Sequence, residues 1–310
     1  MGLFAVLAEL DETGVPLRYL FLGVNTLAQT SQPAVASATT HILQQFLKPL
    51  KDAGYDPSFF GFDKDKSEIS AIRNFWPKTT IRLCFWHAKK AIRKKLRESK
   101  KTSTQKHYFP LKAKNFVPNL EICWGSLPTC RPDGEHRYGR CQCDSLGICF
   151  DELGRLETAG LAERETVLRM FSRHYNLHPM IPDHNGTYRS DSQVHFDCIN
   201  EIYSWCHSRN YFRLWAYLYI NWYAPEQWKL WARSVNPESL PVLKTTVIIE
   251  SHWRRIKHDY LHRFSHPRID LVTWALVSRV IPTAIERMDA IISQNKPKAA
   301  AAWRKAFKRE

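Results

Sequence analysis

The chain reads as α/β with a mixed sheet, interrupted by a long, mainly helical region before its last amphipathic helix. Three observations predict this. Short apolar runs alternate with helical periodicity over the first hundred residues. Strand patterns then fade across a Lys-, Pro-, Gly-, His- and Cys-rich middle from about Ser99 to Asn200. From about Val194 the pattern is helical and heavily aromatic, as in "YFRLWAYLYINWYAPEQWKLWARSV".

Taken in order, "LFAVLAEL" and "VPLRYLFLGV" flank "DETG", which predicts a β-hairpin with a short Gly-containing loop. A helix is expected from about Ser31 to Ala53, with Ser31 as N-cap, Pro33 in the first turn and Gly54 as terminator. Pro49 is expected to end or kink it early. "PSFFGF" predicts a short buried strand that delivers Asp63 at its carboxyl end. "DKSEISAIRNF" predicts a helix capped by Asp65, with Glu68 three residues on. "TTIRLCF" predicts another strand, and "WHAKKAIRKKLRE" a basic amphipathic helix. Two strands joined through a helix of that length are expected to lie parallel.

The boundaries that follow are 1–98 for the α/β core, 99–240 for the Cys-containing loops and helical insertion, and 241–310 for the last helices. No run suits a membrane span. The first residues lack the basic segment of a signal peptide, so an intracellular setting is expected, with the eight cysteines as thiols or metal ligands rather than disulfides.

A formal net charge of +15 and a pI near 9.5 point to a polyanionic partner, with nucleic acid ahead of a merely soluble basic surface. Residues 78–114 hold thirteen Lys or Arg against one acid, Glu98. Lys89, Lys90, Arg93, Lys94 and Arg97 fall mostly on one side of their helix. Arg254, Arg255, Lys257, Arg263 and Arg268 form a second patch. Binding to such patches should be tolerant of sequence and sensitive to salt.

Asp63 alone reads as a turn residue, or as a carboxylate at the strand-end crevice where α/β sheets bind ligands. In "TTVIIESHWRRIKHDYL", Ile249, Trp253, Ile256 and Tyr260 mark an apolar face. Glu250, Arg254, Lys257 and Leu261 share the adjoining stripe, with Glu250 near the helix start. Cys123, Cys130, Cys141, Cys143 and Cys149, with His136 among them, hint at zinc. Their spacing does not match the usual paired ligands, so free loop thiols are the favoured reading. Cys198, Cys206 and the aromatic run Tyr211–Trp231 read as core.

"DKDKSEISAIRNFWPKTTIRLCFWHAKKAIRKKL" resembles the core of Mutator-like element (MULE) transposases. The shared features are Asp63 at a strand end, Trp76-Pro77 closing a helix, and a strand running into Cys84-x-x-His87. "TTVIIESHWRRIKHDYL" is similar to the family's last catalytic block, with Glu250 and Lys257 at its Glu and Lys positions. The resemblance implies an RNase H-like fold with an inserted helical domain before the last catalytic helix. It implies Asp-Asp-Glu strand cleavage and transfer of DNA in the nucleus, with Asp63 as second Asp and Glu250 as final Glu. It also implies two Mg²⁺ or Mn²⁺ ions held by these carboxylates, DNA as partner, contacts from Lys89, Lys90, Arg93, Lys94, Arg254 and Lys257, and a possible homo-oligomer. Cys84 and His87 would bind zinc or shape the site, since two ligands alone do not make a tetrahedral centre.

The family's first Asp lies on a strand before the hairpin. Here Met1-Gly2 leads straight into the hairpin, and Asp11 sits in its turn. The expectation is a shortened copy or incomplete gene model with weak or no catalysis. The competing readings are a transposase-derived DNA-binding or regulatory protein that never cuts, and a zinc-dependent adaptor built on the cysteine cluster.

Overall fold

The computed structural model describes residues 2–10, 13–22, 32–62, 65–97, 107–122, 124, 148–149, 160–238 and 247–293. It is mixed α/β and predominantly helical. The chain groups into two compact units. One comprises 1–54, 70–75 and 246–310, the other 55–69 and 76–245.

In the first unit, β1 (Gly2–Leu10) and β2 (Thr13–Leu22) form the expected antiparallel hairpin, with an irregularity between Val6 and Leu7. Both strands are half-buried along nearly their whole length, because the hairpin is covered on both faces. On one face Arg18 donates to the Phe46 carbonyl at 2.7 Å and stacks its guanidinium over the Phe46 ring. Phe46 belongs to α1 (Gln32–Asp52), which buries Leu43, Phe46 and Leu47. On the other face Leu3, Tyr19 and Phe21 pack against Ile256, Leu261, Val272, Leu276 and Val280. Ile256 opens the wider π-helical turn 256–260 that continues α9 (Val247–Arg255), and Leu261 comes directly after that turn. Val272 belongs to α10 (Ile269–Ala275), and Leu276 and Val280 to the π-helical turn 276–280 that follows it. The last described helix, α11 (Ile281–Ile292), packs against β2. Where α9 meets β2, a Cβ at Gly14 would collide with the Ile248 side chain, so the close approach needs glycine.

Pro49 does not end α1, which continues to Asp52. The proline lies in the last turn, where only one hydrogen bond is forfeited. Gly54, at φ +80°, then takes the left-handed conformation that terminates the helix.

In the second unit, β3 (Phe59–Phe62) and β4 (Thr80–Leu83) pair in parallel, joined through α2 (Lys66–Phe75), as expected. The division between units passes through α2, whose residues 70–75 group with the first. Asp65 caps this helix, its carboxylate accepting from the Ser67 and Glu68 N–H groups at 2.7 and 3.3 Å. α3 (Phe85–Arg97) follows β4 and buries Ala88, Ile92 and Leu96. Next come β5 (His107–Tyr108), α4 (Pro110–Lys114) and β6 (Ile148–Cys149), the two strands pairing antiparallel.

α5 (Leu161–Asn176) lies in the Lys-, Pro-, Gly-, His- and Cys-rich middle, for which no helix is predicted. Its N-terminus is closed by Gly160 N–H donating to Glu163 Oε2 at 2.6 Å, and Val167, Leu168, Phe171 and Tyr175 form its buried stripe. α6 (Asp191–His207) opens with a reciprocal capping box between Ser190 and Gln193. α7 (Phe212–Leu218) runs into a π turn (Tyr219–Tyr223), and α8 (Pro225–Trp231) completes the bundle. Trp215, Trp222, Tyr223, Trp228 and Trp231 are buried, as the packing reading of the aromatic run requires.

Among the described residues the strands form three separate two-stranded sheets, not one mixed sheet. Local alternation specifies that a strand exists and which face is buried. The neighbour it pairs with is a long-range choice. No described helix is long and apolar enough to cross a membrane.

Candidate functional site

In the second unit the parallel pair brings two chain positions to one end of the sheet. Phe62 and Leu83 are the last registered partners, and Cys84 N–H donates to the Phe62 carbonyl at 3.0 Å. Asp63 follows Phe62 in the chain and lies outside the described residues. Cys84 is buried and directly precedes α3, where His87 occupies the first turn. Its sulfur and a His87 ring nitrogen are within 4.8 Å of each other. Thiolate and imidazole at this separation can supply two ligands to a soft or borderline ion such as Zn²⁺.

α3 carries six Lys or Arg and no acid. Lys90, Lys94 and Arg97 are exposed, whereas Lys89 and Arg93 are half-buried on the flanks. Lys90 Nζ sits 4.6 Å over the Trp86 ring, and Lys89 Nζ 6.0 Å over Phe85. Phe85 in turn stacks on Tyr175 at 4.2 Å, which fastens the start of α3 to α5.

In the first unit Glu250 is exposed in the first turn of α9, and Arg254 and Lys257 are exposed on the same stripe. Leu261 does not share that stripe; it is buried. The π turn is the reason, since Leu261 N–H reaches back five residues to the Ile256 carbonyl and the wider turn rotates the residues after it. Sequence reading also passed over His252, which is buried, stacks on Tyr19 and is hydrogen-bonded to its hydroxyl at 2.9 Å. Burial, helped by Arg255, pushes the His252 imidazole down to about 4, and burial pushes the Tyr19 phenol up. The pair is a neutral strut between hairpin and helix.

The cysteine cluster falls largely outside the described residues. Cys123, Cys130, Cys141, Cys143 and His136 are not described, and of Cys149 only the backbone is. Cys198 and Cys206 are buried in α6, as expected of core residues.

A second constellation has the composition of a catalytic triad. His174 Nε2–H donates to Glu201 Oε2 at 3.0 Å, and the Tyr223 hydroxyl donates to His174 Nδ1 at 2.8 Å. Arg173 pairs with Glu201 on its outer side. His174 and Tyr223 are both fully buried, so no substrate reaches them, and the network pins α5, α6 and the π turn together. Burial pushes the His174 imidazole below its ordinary value despite Glu201, and the bond from His174 holds the Glu201 carboxyl down. Burial also lowers His195, whose Nε2–H donates to the Tyr223 carbonyl.

All three shifts are depressions, so their stabilisation is present above the unfolded-state values and is lost as pH falls through them. For the two histidines loss begins below about 6.5, and for Glu201 below about 4.3. The melting temperature is therefore expected to fall between pH 7.5 and 5, by about 2–4 °C for each kcal/mol lost. His174→Gln keeps one acceptor and one donor without titrating, and should flatten part of that slope. A parallel slope in this variant would show that His174 does not titrate in this window.

No family model matches the chain, and no curated protein or solved structure matches it.

Proposed function

We propose that the chain is a MULE-type transposase core, a metal-dependent DNA strand-cleaving and strand-transferring protein with an RNase H-like fold. The observation that carries this reading is the parallel β3–α2–β4 unit, in which the residue after β3 is Asp63 and the residue after β4 is Cys84. Strand carboxyl ends are where open α/β sheets gather ligands. Asp63 and Glu250 would be the metal-holding carboxylates, and their hard oxygen donors suit Mg²⁺ or Mn²⁺. Glu250 fits that role in being exposed and in the first turn of its helix. When bound, such ions activate the attacking oxygen and steady the leaving one. Cys84 and His87 would either take up Zn²⁺ or order the start of α3. Lys89, Lys90, Arg93 and Lys94 on one unit, and Arg254 and Lys257 on the other, would hold phosphates. DNA is then the partner, the nucleus the compartment and self-association the working form.

The test is a strand-cleavage assay with Mg²⁺ or Mn²⁺ alongside Mn²⁺ binding followed by electron paramagnetic resonance. Cutting of DNA that depends on the added metal is expected. Both Mn²⁺ binding and any cutting should be lost in Asp63→Ala and in Glu250→Ala, with DNA affinity unchanged. Mn²⁺ binding that survives both substitutions would overturn the assignment. The α3 cations need no metal, and they favour a second reading: a transposase-derived, non-catalytic DNA-binding or regulatory protein. DNA affinity with no metal-dependent cutting under any condition would select it.

A further inference from the structure

We infer that the outer face of α3 binds unpaired DNA, with Trp86 as the platform on which a base stacks; this deepens the DNA-processing reading and rests on it. At about 100° per residue, Trp86, Lys90, Lys94 and Arg97 fall within about 80° of arc, opposite the buried Ala88, Ile92 and Leu96. The four residues span about 16 Å of helix, the length of roughly five stacked nucleotides. Trp86 is 47% exposed, an unusual state for the largest apolar side chain. Its ring is steadied at one edge by the His87 imidazole, T-shaped at 4.7 Å, so the indole is oriented before any ligand arrives.

An ordinary solvated helix face mixes charges of both signs. This one carries no carboxylate, and its Lys90 ammonium lies 4.6 Å over the indole ring, a place that a stacking base would take as the ammonium swings to the phosphate of that nucleotide. Cations alone would serve a duplex. The added aromatic face is useful only to a base that is not already stacked within one, and a row of cations ending on an aromatic is how single strands are commonly held.

The experiment measures affinities for a short oligothymidylate and for a duplex of equal length at one salt concentration, by fluorescence anisotropy. Trp86→Ala should weaken single-strand binding about tenfold and leave duplex binding within about twofold. Trp86→Phe should recover most of the loss. Lys94→Ala should weaken both substrates. An unchanged melting temperature in Trp86→Ala excludes misfolding as the cause. Equal losses on both substrates, or no loss on either, would overturn the inference. The two readings fail separately. Trp86-dependent single-strand binding without metal-dependent cutting removes only the transposase, and Asp63-dependent cutting with an indifferent Trp86→Ala removes only the platform.

Discussion

Raising monovalent salt from about 50 to about 200 mM should weaken duplex DNA binding by about 10³-fold. The magnitude follows from counting cations. Lys89, Lys90, Arg93, Lys94, Arg254 and Lys257 are the proposed phosphate contacts, and each releases about 0.9 of a counterion. The logarithm of affinity should then fall with the logarithm of salt at a slope near −5. Lys90, Lys94, Arg254 and Lys257 are exposed, while Lys89 and Arg93 are half-buried. Long aliphatic stems let the latter two bury carbon and still present charge, so they stay in the count. If only the outer cations of α3 take part, Lys90, Lys94 and the further exposed Arg97, the slope falls to about −3 and the loss to roughly fortyfold. The slope therefore tells how many of the proposed cations bind. Lys90→Ala with Lys94→Ala should reduce it by about 2, and Arg254→Ala with Lys257→Ala by a similar amount if both units grip one duplex. Affinity that stays flat across this range would mean that these patches are solvated surface and nothing more.

What the sequence reveals and what it conceals divide along the range of the interaction. The Asp65 cap, the apolar stripe of α3 and the antiparallel pairing of the first two apolar runs are local, and each appears where the residues predict it. Gly14, expected in the loop, instead lies within β2, opposite Glu9. The parallel β3–β4 pair was legible because a helix between two short strands leaves few other arrangements. The single mixed sheet was not, since it concerns which strands become neighbours. α5 was missed although its signals are local: Gly160, Glu163 and the stripe Val167, Leu168, Phe171 and Tyr175 were masked by the polar composition around them. Leu261 was assigned to the wrong face because a π turn looks like any other helix in sequence. No local pattern in the sequence marks His252 or His174. Only the tertiary partners Tyr19, Glu201 and Tyr223 make them buried struts. Of the candidate site, Asp63, Cys84, His87 and Glu250 follow from resemblance and the row of cations on α3 from charge and helical spacing, while Trp86 stands out only through its exposure.

Trp215→Ala should destabilise the protein by about 4–6 kcal/mol, most of what a domain of this size has. Trp215 is fully buried, packs its ring against Tyr203 and Tyr219, and donates its indole N–H to the Tyr108 hydroxyl at 2.7 Å. Truncation forfeits the ring's burial, about 3–5 kcal/mol with its cavity, and leaves the Tyr108 hydroxyl buried without its donor, about 1 kcal/mol or more. Trp215→Phe keeps much of the volume and should cost less than half as much. Denaturant unfolding followed by circular dichroism checks both; a loss below about 2 kcal/mol for the alanine variant would mean that the core collapses around the gap. The contrast with Trp86 ties stability to function. Trp86→Ala removes an exposed ring and a cation–π contact, worth less than about 1 kcal/mol, so it should alter DNA binding in a folded protein. Trp215→Ala should weaken binding of single strand and duplex alike as the folded fraction falls, because α3 is fastened through Phe85 to Tyr175 and Phe171, and Phe171 stacks on Trp231 in the same aromatic core. The same substitution at two tryptophans thereby separates the platform from the scaffold that holds it.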